Sequence, residues 1–108
     1  MMKILTVTMN PAIDISIEVD QLIAEKKLRA GGPVYEPGGG GINVAKVIKE
    51  LGGDSVAVYA AGGATGQMLE GLLGEEKFEH RRVILEGRTR EDITLVERNS
   101  EQLFRLVM

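Results

Sequence analysis

The chain has 108 residues, 44% of them hydrophobic and 27% charged, with a formal net charge of −3. That length and balance suit one small globular core, and the mild negative charge gives no attraction for nucleic acid or an anionic membrane. Cysteine is absent, which excludes disulfides, thiol catalysis and Cys-ligated zinc, and the single histidine, His80, cannot build a histidine-rich metal site. No apolar run approaches the roughly 20 residues needed to span a bilayer, and the start lacks a basic segment followed by a long apolar stretch. The cytoplasm is the expected compartment.

In chain order, Lys3–Thr8 reads as a buried strand, with Ile4, Leu5 and Val7 close together and no helical spacing. Pro11 breaks it. Ile13, Ile15, Ile17 and Val19 then alternate with Asp14, Ser16, Glu18 and Asp20, a strand with one apolar and one polar face. Gly31-Gly32-Pro33 marks a turn, and Val34–Glu36 returns as a short strand. Four glycines, Gly38 to Gly41, run straight into a helix whose apolar stripe is Val44, Val47, Ile48 and Leu51, closed by Gly52-Gly53. Ser55–Ala61 reads as a second buried strand. Thr65 is the expected N-cap of a short helix with the stripe Met68, Leu69, Leu72 and Leu73, ending at Gly74. Arg81–Leu85 is a third core strand. His80, in the run Glu79-His80-Arg81-Arg82, reads as a solvated loop residue. Asp92–Glu97 and Leu103–Val107 form a hairpin around Arg98–Gln102.

Strands alternating with helices imply an α/β core with right-handed crossovers, and the period-two strands imply an appended sheet. The division places 1–10 and 40–88 in the core and about 12–36 and 90–108 in the sheet that covers it. The chain ends on a strand with no turn, cap or polar tail after it, so it is expected to be the N-terminal piece of a larger protein.

Four glycines are costly to order, and a glycine run lets a ligand approach backbone that no Cβ shields. The start of the following helix leaves N–H groups free, and Asn43 adds a side-chain amide. The run is not a Walker A loop, because no Lys-Ser or Lys-Thr follows it, and it lacks the βαβ context of a dinucleotide fingerprint. From spacing alone Asp14 is either the polar face of a strand or an acceptor for two hydroxyls. Arg90 is either a surface charge or a bidentate phosphate ligand, and Lys27 and Arg29 read first as solvated charges.

An ordered set of segments narrows these alternatives: Thr8-Met9-Asn10-Pro11-Ala12-Ile13-Asp14, Lys27-Leu28-Arg29, Glu36 to Ala45, Ala60-Ala61-Gly62-Gly63-Ala64-Thr65-Gly66, Thr89-Arg90 and the ending Phe104 to Met108. Together they resemble the PfkB group of ribokinase-like sugar kinases, most of all its minor 6-phosphofructokinase type, over the first third of such a kinase. The resemblance implies a partial ribokinase-like α/β fold, a Rossmann-like doubly wound core with a β-sheet lid. It implies that Asp14 binds sugar hydroxyls, that Gly39, Gly40 and Asn43 cradle the sugar, and that Arg90 reads its phosphate. Lys27 and Arg29 resemble lid residues that reach the sugar phosphate, Lys27 across a homodimer formed through the lid sheet.

In such kinases ATP, with Mg2+, gives its γ-phosphoryl group to a sugar phosphate. The catalytic base and the glycine-rich helix start that stabilises the transferring group lie in a Gly-Ala-Gly-Asp-type motif far along the chain, with an Asn-x-x-Glu motif for magnesium. This sequence has neither, and Gly62–Gly66 lacks the closing aspartate. The chain is therefore expected to hold much of the acceptor site, to bind neither ATP nor Mg2+ well, and to be inactive alone. The readings are part of a 6-phosphofructokinase; part of a 1-phosphofructokinase or tagatose-6-phosphate kinase; or a non-catalytic sugar-phosphate-binding or dimerisation module.

Overall fold

The computed structural model describes residues 2–108. Nine elements follow in order: β1 (Lys3–Thr8), β2 (Ala12–Val19), β3 (Gly31–Gly38), α1 (Gly40–Glu50), β4 (Asp54–Gly62), α2 (Gly63–Leu73), β5 (Glu79–Leu85), β6 (Arg90–Glu97) and β7 (Gln102–Leu106). They form an α/β unit with two sheets. The first is parallel, in the order β1-β4-β5; the second is mixed, in the order β3-β2-β6-β7. In the second sheet β2 runs antiparallel to β3 and parallel to β6, and β7 is antiparallel to β6.

Both crossovers of the first sheet step the same way, so right-handed connections put α1 and α2 on one face. There Ala57, Tyr59 and Ala61 of β4 pack with Ile42 and Ala45 of α1, with Leu69 and Leu73 of α2, and with Phe78. Ile13 and Ile15 of β2 join this cluster and tie the two sheets together.

Five expectations are corrected. The strand β1 is buried only in part: Thr6 and Thr8 are covered, but Ile4 is exposed on an edge strand, and Leu5 and Val7 are exposed because, among the described residues, no element covers the face opposite the helices. The buried side of α1 is Ile42 and Ala45, while Val44 (51% exposed), Val47 and Leu51 face out. The helix carries two apolar stripes, and periodicity alone does not choose between them. Gly31-Gly32-Pro33 is not a turn but the start of β3, paired to β2 across a register shift between Ser16 and Glu18. Thr65 does not cap α2; Gly62 holds that position, and the Thr65 hydroxyl donates to Thr89 O at 2.7 Å. His80 lies in β5, half-buried, with its ring centroid 6.3 Å from that of Tyr59. Its charged neighbours Glu79 and Arg81 point outward and disguised the strand.

Candidate acceptor site

The glycine run divides its work. A Cβ on Gly38 would sit 2.3 Å from Asp14 Oδ2, one on Gly39 2.7 Å from Thr8 Cγ2, and one on Gly41 2.4 Å from Thr8 Oγ1. These three let the turn press against β1 and β2. Gly39 also has φ of 130°, a conformation that L side chains rarely adopt. A Cβ on Gly40 would meet nothing within 4 Å. Gly40 opens α1, whose first turn carries no acidic residue and whose N-cap makes no side-chain hydrogen bond. Its forward N–H groups are therefore free to meet an acceptor.

This helix start borders a cleft of about 380 Å³ whose lining includes Asp14, Ser16, Glu36, Gly39, Asn43, Arg90, Asp92, Thr94 and Arg105. The strand register explains the gathering. Glu36, Asp14 and Asp92 are direct neighbours across β3, β2 and β6; Ser16, Thr94 and Arg105 form the next row across β2, β6 and β7. Neighbours in register share a face, so these two rows set their polar groups on one side of the second sheet, with Val34 beside Ser16 at the β3 edge. The cleft also adjoins the C-terminal end of β1, the end at which open α/β sheets hold ligands.

Asp14 is half-buried, and burial holds its carboxyl above the ordinary carboxylate range. The Asp92 charge pushes the same way, while Lys46, Arg90 and Arg105 oppose. Arg90 Nη1 donates to both Asp92 oxygens, at 2.9 and 3.2 Å, and its Nε and Nη2 donate to Asn10 O at 3.3 and 3.2 Å. Its guanidinium is thus held in plane at the cleft edge.

Of the residues singled out from sequence, Asp14, Gly39, Asn43 and Arg90 line one cleft, and Gly40 lies at its border. Lys27 and Arg29 do not join them; both are exposed on the connection between β2 and β3. Arg105 was missed. It is the single basic residue of β7, and carrying the period-two alternation from Asp14 through Thr94 and across the hairpin would have found it. A larger groove beside α1 is lined by Lys46, Lys49 and Lys77 with Glu36, Glu50, Glu75 and Glu76. Its charges offset one another, and of the cleft's polar groups it shares only Glu36 among the described residues.

Among the described residues no group of three Asp, Glu, His or Cys side chains is placed to hold a metal. The second glycine-rich helix start, at α2, is occupied by the chain itself: a Cβ on Gly62 would fall 1.9 Å from Gly87 O.

A family model described as pfkB family carbohydrate kinase matches residues 6–107. The chain belongs to the pfkB family of carbohydrate kinases. It is 44% identical over 106 residues to the ATP-dependent 6-phosphofructokinase isozyme 2 of Mycobacterium tuberculosis H37Rv, covering 98% of this chain and 31% of that protein. It is 36% identical over 104 residues to the D-tagatose-1-phosphate kinase of Bacillus licheniformis, covering 96% of this chain and 33% of that one. The crystal structure of Escherichia coli phosphofructokinase-2 in complex with fructose-6-phosphate superposes with a TM-score of 0.92 at 42% identity, over 100% of this chain and 36% of that one. A tetrameric inhibited form of the same enzyme gives 0.91 at 42% identity, again over 100% and 36%. The chain spans about a third of the length of these pfkB relatives. Among the described residues no helix is long and apolar enough to cross a membrane.

Proposed function

We propose that this chain is the sugar-phosphate-binding part of a cytoplasmic, ATP-dependent 6-phosphofructokinase, which converts fructose 6-phosphate to fructose 1,6-bisphosphate. The observation that carries the proposal is the pairing of two guanidinium groups, Arg90 and Arg105, with the Asp14 carboxylate in one cleft beside the free start of α1. A dianionic phosphate takes bidentate hydrogen bonds from arginine, and a carboxylate accepts from two vicinal hydroxyls at once. A sugar that carries both groups fills both needs. Asn43 and the N–H groups at Gly39 and Gly40 would orient the ring, and the arginines would hold its phosphate away from the reacting hydroxyl. Asp14 acts in binding and is not the base. ATP with magnesium supplies the phosphoryl group in the whole enzyme. The higher identity to 6-phosphofructokinases than to tagatose phosphate kinases favours fructose 6-phosphate as acceptor.

Lys27 and Arg29 are exposed and do not line the cleft of their own chain. The reading assigns Lys27 to the cleft of a second copy, brought near by packing of two lid sheets, with Arg29 approaching the phosphate from the same connection.

Calorimetric titration with fructose 6-phosphate, fructose 1-phosphate, tagatose 6-phosphate and fructose tests the proposal. Fructose 6-phosphate is expected to bind tightest and fructose at least tenfold more weakly. Equal affinity for fructose and its phosphate would overturn it. A preference for fructose 1-phosphate or tagatose 6-phosphate would move the chain to those kinases.

A further inference from the structure

The glycine-rich corner between β4 and α2 is left without a role by the acceptor site. Its backbone is committed to one residue, Thr89. Gly62 N donates to Thr89 Oγ1 at 3.0 Å, Thr89 N donates to Gly62 O at 3.1 Å, and Thr65 Oγ1 donates to Thr89 O at 2.7 Å. Every polar group of Thr89 is thereby engaged, and the residue is 6% exposed. Around it the corner is shaped to admit it. A Cβ on Gly62 would fall 2.4 Å from Leu85 O, and one on Gly66 would come within 3.2 Å of Thr89 Oγ1. Thr89 immediately precedes Arg90, where the chain passes from the core sheet into β6 of the lid.

We propose that Thr89 is a positioning residue for the acceptor site: it clamps the root of β6 to the β4–α2 corner and so fixes Arg90 for the sugar phosphate. The inference rests on the reading of Arg90 as a phosphate ligand and deepens it. A guanidinium reads phosphate bidentately only when its backbone origin is fixed, since geometry that is loose by an ångström loses much of the gain. Asp92 and Asn10 orient the Arg90 head from the cleft side, and Thr89 holds its base from the core side. The glycine-rich corner is thus a mount for a lid strand. Valine at position 89 has the shape of threonine but removes the acceptor and leaves the buried Gly62 N–H unpaired, whereas serine keeps the hydroxyl.

The test has two arms on the whole chain. In the first, titrations with fructose 6-phosphate and fructose are run for native, Thr89→Val, Thr89→Ser, Arg90→Ala and the Thr89→Val, Arg90→Ala double variant. Thr89→Val is expected to weaken fructose 6-phosphate about tenfold and fructose less than twofold, and Thr89→Ser to stay within about twofold of native. In the Arg90→Ala background Thr89→Val should add nothing. Equal losses on both sugars, or a full further loss in the double variant, would overturn the proposal by making Thr89 merely structural. Failure of the native chain to prefer the phosphorylated sugar would sink the phosphofructokinase reading instead. The second arm needs no ligand. By NMR, the Gly62 amide should be protected from exchange in native and Thr89→Ser and unprotected in Thr89→Val. The Arg90 Nε–H resonance should lose order with it. An Arg90 resonance indifferent to Thr89→Val would overturn the clamp whatever the sugars do.

Discussion

With Gly38, Gly39 and Gly41 pressed on side chains of β1 and β2, and Gly40 facing open space, substitution along the run separates folding from binding. Gly40→Ala is expected to stabilise the chain by about 0.5–1 kcal/mol through helix propensity while weakening fructose 6-phosphate several-fold. Gly41→Ala must displace Thr8 and should lower stability by about 1–3 kcal/mol. Urea unfolding beside sugar-phosphate titration checks both; a Gly40→Ala chain with native affinity would take Gly40 out of the site. Asp14 couples charge to stability in a similar way. Its carboxyl is raised on folding, so the folded chain holds the proton more tightly than the unfolded chain. The resulting cost is fully present above the raised value and fades as pH falls through it toward the ordinary 3.8. Asp14→Asn should therefore melt a few degrees higher at pH 7, converge with the native chain near pH 3, and lose about tenfold or more in fructose 6-phosphate affinity. Melting curves across pH decide it: a lower midpoint at neutral pH would show that the carboxylate supports the fold.

The lid is an element with two faces. Its polar face carries Asp14, Asp92 and Arg105. Its other face carries the rows Tyr35, Ile15, Ile93, Leu106 and Ile17, Leu95, Phe104, in register across the four strands. Ile15 rests on the core, but Phe104 and Leu106 are exposed, and a long apolar face with open edges invites a second sheet. Packing of two lids would cover it and carry Lys27 toward the partner's cleft. The chain has no cysteine, so single introduced thiols report the contact. Ile17→Cys and Phe104→Cys are expected to cross-link into dimers under mild oxidation, and Val83→Cys, on β5, to stay monomeric. Absence of cross-linking at both lid positions would place the interface elsewhere. The sheet was legible because period-two alternation runs cleanly through Ile13–Asp20 and because Asp92–Glu97 and Leu103–Val107 flank a polar turn as a hairpin does. What stayed hidden was set by tertiary contact. The rotation of α1 follows from glycines pressed on Thr8 rather than from its apolar stripe, and Arg105 joins the site only through strand pairing. The Thr65 hydroxyl looked like a cap because sequence does not show that Thr89, 24 residues away, would claim it.

At the scale of the molecule, the radius of gyration is 16.0 Å and the slab is 53 × 34 × 19 Å, against about 13 Å for a compact domain of 100 residues. Among the described residues the core sheet has helices on one face only. Register places Leu5 beside Val56, Val7 beside Val58, and Ala60 beside Val83 on the other face. A parallel sheet is stable when both faces are covered, and here one aliphatic face and the β1 edge are open. The chain is accordingly expected to bind the apolar dye ANS, and Leu5→Lys with Val58→Lys should reduce that signal severalfold while leaving the far-ultraviolet dichroism intact. The same incompleteness bears on catalysis. The acceptor groups are gathered in one cleft, where on the proposed reading Asp14 serves binding rather than proton abstraction, and among the described residues no group of three Asp, Glu, His or Cys side chains is placed to hold a metal. With fructose 6-phosphate, ATP and magnesium, turnover should stay far below about 1 per second, an ordinary enzyme rate. Sugar-phosphate binding should remain measurable all the same, because Asp14, Arg90 and Arg105 are positioned by strands within the chain. A coupled assay run beside the calorimetry decides between the outcomes. Turnover at an ordinary rate would show that donor and base are built from the acceptor-binding residues, and Asp14, a half-buried carboxylate in the cleft beside the helix start, would then have to be reassigned as the base.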